Sequence, residues 1–165
     1  MHTRAVKEDM SKNLITIGWD ESMSTAYSRM KLMKVRHLPV QNESGDMIGI
    51  LSERDVQRSM ISKIENESGH LMGDEVIRFD PSSRVRNYMS WPAEVVDQKT
   101  DLRLVAERMM SEKISSFLVS EEGKVVGIVT TDDLLRVLVE LLSDSNMPLL
   151  WTLNHVFDRV AVKPD

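Results

Sequence analysis

The chain has no cysteine among its 165 residues, which excludes disulfides, thiolate catalysis and cysteine-type zinc sites and agrees with a reducing compartment. The Asn-x-Ser sequences at Asn42 and Asn66 then carry no glycosylation meaning. It also has no surplus of positive charge. The 21 Lys and Arg face 26 Asp and Glu for a net charge of −5, so a nucleic-acid partner is not expected. Long apolar runs are missing as well. No stretch approaches the roughly 18 residues of a membrane span, and MHTRAVKEDMSKN lacks the apolar segment of a secretory signal, so the expectation is a soluble cytoplasmic protein without a membrane partner.

What is present is a duplication. Sliding the chain along itself pairs Met10-Ser11 with Met89-Ser90, Arg29-Met30 with Arg108-Met109, Lys34 with Lys113 and Val40 with Val119. One deletion at Ser44 then pairs Gly45, Gly49-Ile50, Asp55 and Arg58 with Gly123, Gly127-Ile128, Asp133 and Arg136. A unit this short cannot cover its own apolar face, so the two copies are expected to stack, share a core and leave clefts between them.

Within each copy the periodicity changes in the same order. A helical stripe of Met23, Ala26, Tyr27, Met30 and Met33 matches Leu102, Val105, Ala106, Met109 and Glu112, with Ser22 and Thr100 as expected N-caps. Strand-like runs follow at 35–40 and 114–119, then turns at Gly45 and Gly123, then strands at 47–51 and 125–129. A second helix starts at Glu53 or Thr131, and a short strand near 14–17 or 94–96 precedes the whole unit. The domains expected are repeat 1 over 8–60, an exposed linker over 61–85, repeat 2 over 86–142 and an amphipathic helix over 146–160. That last helix begins at Pro148 and carries Leu149, Leu150, Leu153, Val156, Phe157 and Val160 on one face. Most of the methionines read as core filler, Met33 included.

Both copies end their second strand in Gly, two aliphatics, a hydroxyl residue and, three places on, Asp: GILSERD and GIVTTDD. One reading is a capping box, in which Ser52 or Thr130 caps the helix and Asp55 or Asp133 closes back on it. The other uses the same helix end to receive a phosphate, with the Asp accepting from the paired hydroxyls of a ribose. Gly49 and Gly127 would admit a close backbone or ligand.

The residues VRHLPV with GDMIGILSERD, and ISSFLV with GKVVGIVTTDD, resemble a tandem pair of CBS domains, the cystathionine β-synthase type module. The resemblance implies an α+β fold of two β-α-β-β-α repeats packed through their sheets about a pseudo-two-fold axis. It further implies a non-catalytic regulatory module that binds an adenosine nucleotide (AMP, ADP or ATP, or else S-adenosylmethionine or NAD) and signals in trans to an effector protein. Carried over residue by residue, Asp55 and Asp133 hold ribose, Ser52 and Thr130 meet phosphate, and Leu14, Thr16, Val35 and Ile114 supply apolar walls. Arg36 and His37 stand where basic residues often face the phosphates, while the second copy has Ser115 and Ser116 there.

Arg54 and Asp132 occupy matching helix starts, so polyphosphate is expected to prefer the Arg54 side. Arg54 is assigned to the Asp55 cleft and Arg36 is open between the clefts. A homodimer is expected from the apolar outer helices. The competing functions are an adaptor with empty clefts and, more weakly, a small enzyme using His37 as base. No nucleophile, carboxylate pair or metal set accompanies that histidine at usable spacing: His2, His70 and His155 do not fall in step with it.

Overall fold

The computed structural model describes residues 4–61 and 78–143. The expected helix over 146–160 and most of the expected linker lie outside the described residues.

Repeat 1 runs β1 (Ile17–Gly18), α1 (Met23–Met33), β2 (His37–Gln41), β3 (Met47–Ser52) and α2 (Glu53–Ser59). A short antiparallel pair, β4 (Met60–Ile61) with β5 (Arg78–Phe79), follows it. Repeat 2 runs β6 (Val95–Asp97), α3 (Leu102–Glu112), β7 (Ser116–Glu121), β8 (Lys124–Thr130) and α4 (Thr131–Ser143). Each repeat therefore has the β-α-β-β-α order of an α+β unit. In both sheets the first strand is parallel to the second and the second is antiparallel to the third.

The helices start and stop for local reasons. Ser22 caps α1 by accepting from the Thr25 amide at 3.1 Å. In α3 the cap is Asp101, accepting from Arg103 at 2.9 Å, one residue later than the expected Thr100. A carboxylate is a stronger acceptor for a helix amide than a hydroxyl, which accounts for the shift. Both helices end on a left-handed lysine, Lys34 at φ 53° and Lys113 at φ 59°. The α1 stripe is buried at Met23, Ala26 and Met30, but Met33 is 44% exposed. It sits on the last turn, where the chain already swings toward β2, so its expected place in the core is corrected.

The two repeats exchange their leading segments. Val6 is fully buried in the core of repeat 2, among Val105, Phe117 and Val129. Its counterpart Val85 is fully buried in the core of repeat 1, among Met23, Leu38 and Leu51. Repeated backbone bonds fix the exchange: Val6 N to Thr100 O at 2.9 Å matches Val85 N to Glu21 O at 2.9 Å. Ser11 and Ile128 bond each other twice, as do Ser90 and Ile50. Val85, expected in an exposed linker, is thus a core residue; a polar neighbourhood in sequence hid a single apolar anchor. A third apolar cluster, Ile50, Leu118 and Ile128 with Leu14, Met47, Ala93 and Val125 packed against it, joins the two sheets about the pseudo-two-fold axis.

Gly49 and Gly127 owe their identity to this crossing. A Cβ on Gly49 would lie 2.7 Å from the Ser90 carbonyl oxygen, and one on Gly127 would lie 2.9 Å from the Ser11 oxygen and 2.7 Å from the Met10 sulfur. Backbone, not ligand, makes the close approach. Gly49→Ala or Gly127→Ala should lower the free energy of unfolding by about 1–3 kcal/mol, the usual cost of overpacking. Urea denaturation checks this, and an unchanged midpoint in both variants would contradict it.

Candidate functional site

Each second helix of a repeat begins where its third strand ends, and the hydroxyl and carboxylate of the motif meet at that junction. Asp55 Oδ2 accepts from the Ser52 amide at 2.8 Å and the Ser52 hydroxyl at 2.6 Å, and the Ser52 oxygen accepts from the Asp55 amide at 3.4 Å. Asp133 Oδ2 likewise accepts from the Thr130 amide at 2.8 Å and hydroxyl at 2.9 Å. The other oxygen of each carboxylate takes an arginine from the next helical turn, Arg58 on Asp55 and Arg136 on Asp133. Both carboxylates are buried, at 6% and 2% exposure, while both arginine side chains are exposed. The full capping box is present at the start of α2 and its carboxylate half at the start of α4, and Oδ1 is held by a partner that water can reach and a hydroxyl-bearing ligand can displace.

The Asp133 carboxylate borders a cleft of about 200 Å³ between the repeats. One wall is Ile128, Thr130, Asp132, Asp133 and Arg136 of repeat 2. The other is Ser11, Asn13 and Ile15 of the leading segment with Lys34, Val35, Arg36, His37 and Pro39 from the approach to β2. Arg36 reaches across and forms a two-pronged ion pair with Asp132, its Nε 3.1 Å from Oδ2. Arg36 therefore belongs to the Asp133 cleft and is neutralised there, so the first copy's cations do not gather on one side. Arg54 stays exposed at the start of α2, beside Asp55.

Other expected site residues separate between the cleft, a neighbouring groove and the core. Leu14 and Thr16 do not line the cleft but border a different, open groove of about 500 Å³ beside α1, with Thr25, Arg29 and Leu32, and Ile15 between them borders both. Thr16 donates its hydroxyl to Gln41 at 3.1 Å. Val35 lines the cleft, while Ile114 packs on the core of repeat 2. Arg58, Arg136, Asn13, Lys34 and Pro39 were not expected at the site. The Asp-to-Arg spacing of three on one helix face was the available signal for the two arginines.

His37 and Ser115 meet on the seam, His37 Nε2 lying 2.9 Å from Ser115 Oγ. Burial, then the adjacent Arg36 charge, lowers the His37 pKa below its ordinary 6.5, partly opposed by Asp132 and Asp55, with Arg54 again lowering it. The neutral ring is thus the folded-state form near neutrality. Unfolded chains bind this proton more readily, so the associated stability is complete above pH 6.5 and is lost as pH falls from there through the folded-state value. The melting temperature of the wild type should fall more steeply than that of His37→Gln as pH drops below 6.5, so that the difference between the two changes with pH. Parallel pH profiles would show that His37 does not titrate as described.

Comparison with known proteins fits this geometry. The family model of the CBS domain matches residues 6–62 and 85–140. The chain belongs to the CBS domain family. Its first matched segment starts at Val6, the residue that the exchange buries in the opposite repeat. The Methanocaldococcus jannaschii protein MJ1225 is 26% identical over 92% of this chain, which spans 45% of that protein's length. Among solved structures, the CBS domain pair of protein MJ0100, in complex with 5′-methylthioadenosine and S-adenosyl-L-methionine, superposes with TM-score 0.66 at 22% identity over 84% of this chain and 98% of that one. CBSX2 in complex with AMP gives TM-score 0.63 at 20% identity, over 83% and 97%. At such identities these two likenesses speak to the fold.

Proposed function

We propose that the CBS pair is a non-catalytic regulatory module that binds adenosine nucleotides of the AMP, ADP or ATP type between its repeats and acts in trans on an effector protein in the cytoplasm. One observation carries this reading: a buried carboxylate, Asp133, stands at a helix start on the wall of the inter-repeat cleft, with its second oxygen held, among the described residues, by the exposed Arg136. Ribose hydroxyls are donors suited to that oxygen, and the helix end beside it favours phosphate. The adenosine ligands of the MJ0100 pair and of CBSX2 lend support from the same fold. S-adenosylmethionine and NAD share the adenosine and belong to the same reading.

Among the described residues no group of three or more His, Asp or Glu could hold a metal ion, and no helix is long and apolar enough to cross a membrane.

The adaptor reading draws on one specific fact, that both motif carboxylates already complete capping contacts without any ligand. Titration calorimetry with AMP and ATP separates the two. Losing hydrogen bonds to a charged group costs about 1.5–3 kcal/mol, so Asp→Ala at the occupied cleft should weaken binding about 10- to 150-fold. Unaltered affinity in both Asp55→Ala and Asp133→Ala, or no binding of either nucleotide to the wild type, would favour the adaptor.

The module is further proposed to be a homodimer. The outer face of α4 presents Leu135, Leu138, Val139 and Leu142 to solvent at the spacing of one helical stripe, a surface that self-association would cover. Sedimentation should report a dimer at micromolar concentration, and Leu138→Glu with Leu142→Glu should shift it toward monomer. A monomeric wild type would contradict the dimer.

A further inference from the structure

One ion pair spans the Asp133 cleft without belonging to the core of either repeat. Arg36, on the approach to β2, and Asp132, in the first turn of α4, meet as the two-pronged pair, with Nε 3.1 Å from Oδ2. Both residues line the cleft, and both side chains are about half exposed, at 54% and 50%. Exposed pairs of this kind contribute little to stability, and the repeats are already joined by the backbone crossings and by the shared cluster of Ile50, Leu118 and Ile128. What the pair does is occupy Arg36. The arrangement is peculiar to this cleft, because the positions of the other copy that match Asp132 and Arg36 are Arg54 and Ser115, an arginine and a hydroxyl with no carboxylate between them.

We propose that Asp132 is a built-in competitor for the ligand's phosphate: it holds Arg36 across the Asp133 cleft, and a nucleotide gains that guanidinium only by breaking the pair. This rests on the nucleotide reading above and deepens it by naming the residue that sets the affinity of that cleft. A guanidinium binds a carboxylate and a phosphate through the same planar fork, so it cannot serve both fully at once. Once Arg36 turns to a phosphate, Asp132 is left facing a like charge, and each further phosphate adds to the repulsion. Lys34, Arg36 and Arg136 against Asp132 and Asp133 leave the wall one positive charge, and removing Asp132 makes it two. Adenosine carries no phosphate and does not meet the competition. Binding also trades a direct tie between the repeats, Arg36 to Asp132, for one that runs through the ligand, which couples occupancy to the relative placement of the repeats.

Calorimetry on the full chain carrying Asp55→Ala reads the Asp133 cleft alone, with adenosine, AMP and ATP as probes. In that background Asp132→Ala should tighten AMP about 5-fold, the worth of an exposed pair, and ATP by more, while adenosine stays within about 2-fold. Asp132→Asn, uncharged and of the same shape, should act in the same direction, and Asp132→Glu should stay close to the parent. Adding Arg36→Ala should remove the gain, since Asp132 acts through that arginine. The same comparison on the chain with Asp55 intact should agree in direction. Both residues of the pair are exposed, so their variants are expected to fold, and melting curves check this. AMP affinity unchanged or lower in both Asp132→Ala and Asp132→Asn, an equal gain for adenosine, or a gain of the same size with Arg36→Ala present would each overturn the competitor and leave the nucleotide reading standing. If the wild type binds AMP and the Asp55→Ala chain binds none even with Asp132→Ala, the proposal fails and the reading is confined to the Asp55 cleft. If no probe binds the wild type or any variant, the nucleotide reading itself fails and takes this proposal with it.

Discussion

The structure depends on a reciprocal crossing of backbone. Ser11 of the first leading segment bonds Ile128 of repeat 2, and Ser90 of the second bonds Ile50 of repeat 1, each through a pair of amide-to-carbonyl bonds of 2.8–3.1 Å. Because each crossing passes over the third strand of the other repeat, that strand must be glycine at the contact, and Gly49 and Gly127 are. Neither repeat completes its core alone: repeat 1 takes in Val85 and repeat 2 takes in Val6. The repeats are consequently two halves of one hydrophobic unit, as expected when an isolated copy cannot cover its own apolar surface.

The clefts follow from that arrangement. A segment leaving one repeat to pack on the other must pass the junction where a third strand turns into a helix, and so the motif hydroxyl and carboxylate face residues of the opposite copy. In the Asp133 cleft those are Ile15, Val35, Arg36 and His37. A ligand there touches both repeats at once, and the His37 to Ser115 contact at 2.9 Å ties the two strand approaches together on the seam between them. A ligand that binds one relative placement of the repeats better than another shifts the population toward it, which gives a module of this kind a physical route to regulation.

Much of this was legible in the sequence. The duplication, the strand and helix order and the two Ser/Thr-to-Asp junctions are local patterns, and GILSERD and GIVTTDD fold as their spacing predicts. What was not legible is what depends on the other copy. Val6 and Val85 are lone apolar residues in polar surroundings, without a period to mark them as core. Arg36 could not be assigned to a cleft because its partner, Asp132, is distant in the chain. Leu14 and Thr16 were expected to wall the cleft, but they precede β1 without a strand period and border the groove beside α1 instead. Met33 was placed on the core stripe by a period that the helix end does not continue.

The central claim is that the Asp133 carboxylate exchanges its exposed arginine for a ribose. A crystal structure of the chain grown with AMP tests it most directly. The account predicts ribose hydroxyls within hydrogen-bonding distance of Asp133 or Asp55, the arginine of the next turn displaced, and the base between the two repeats. Both carboxylates still holding Arg58 and Arg136, with the nucleotide absent or seated outside the clefts, would contradict it.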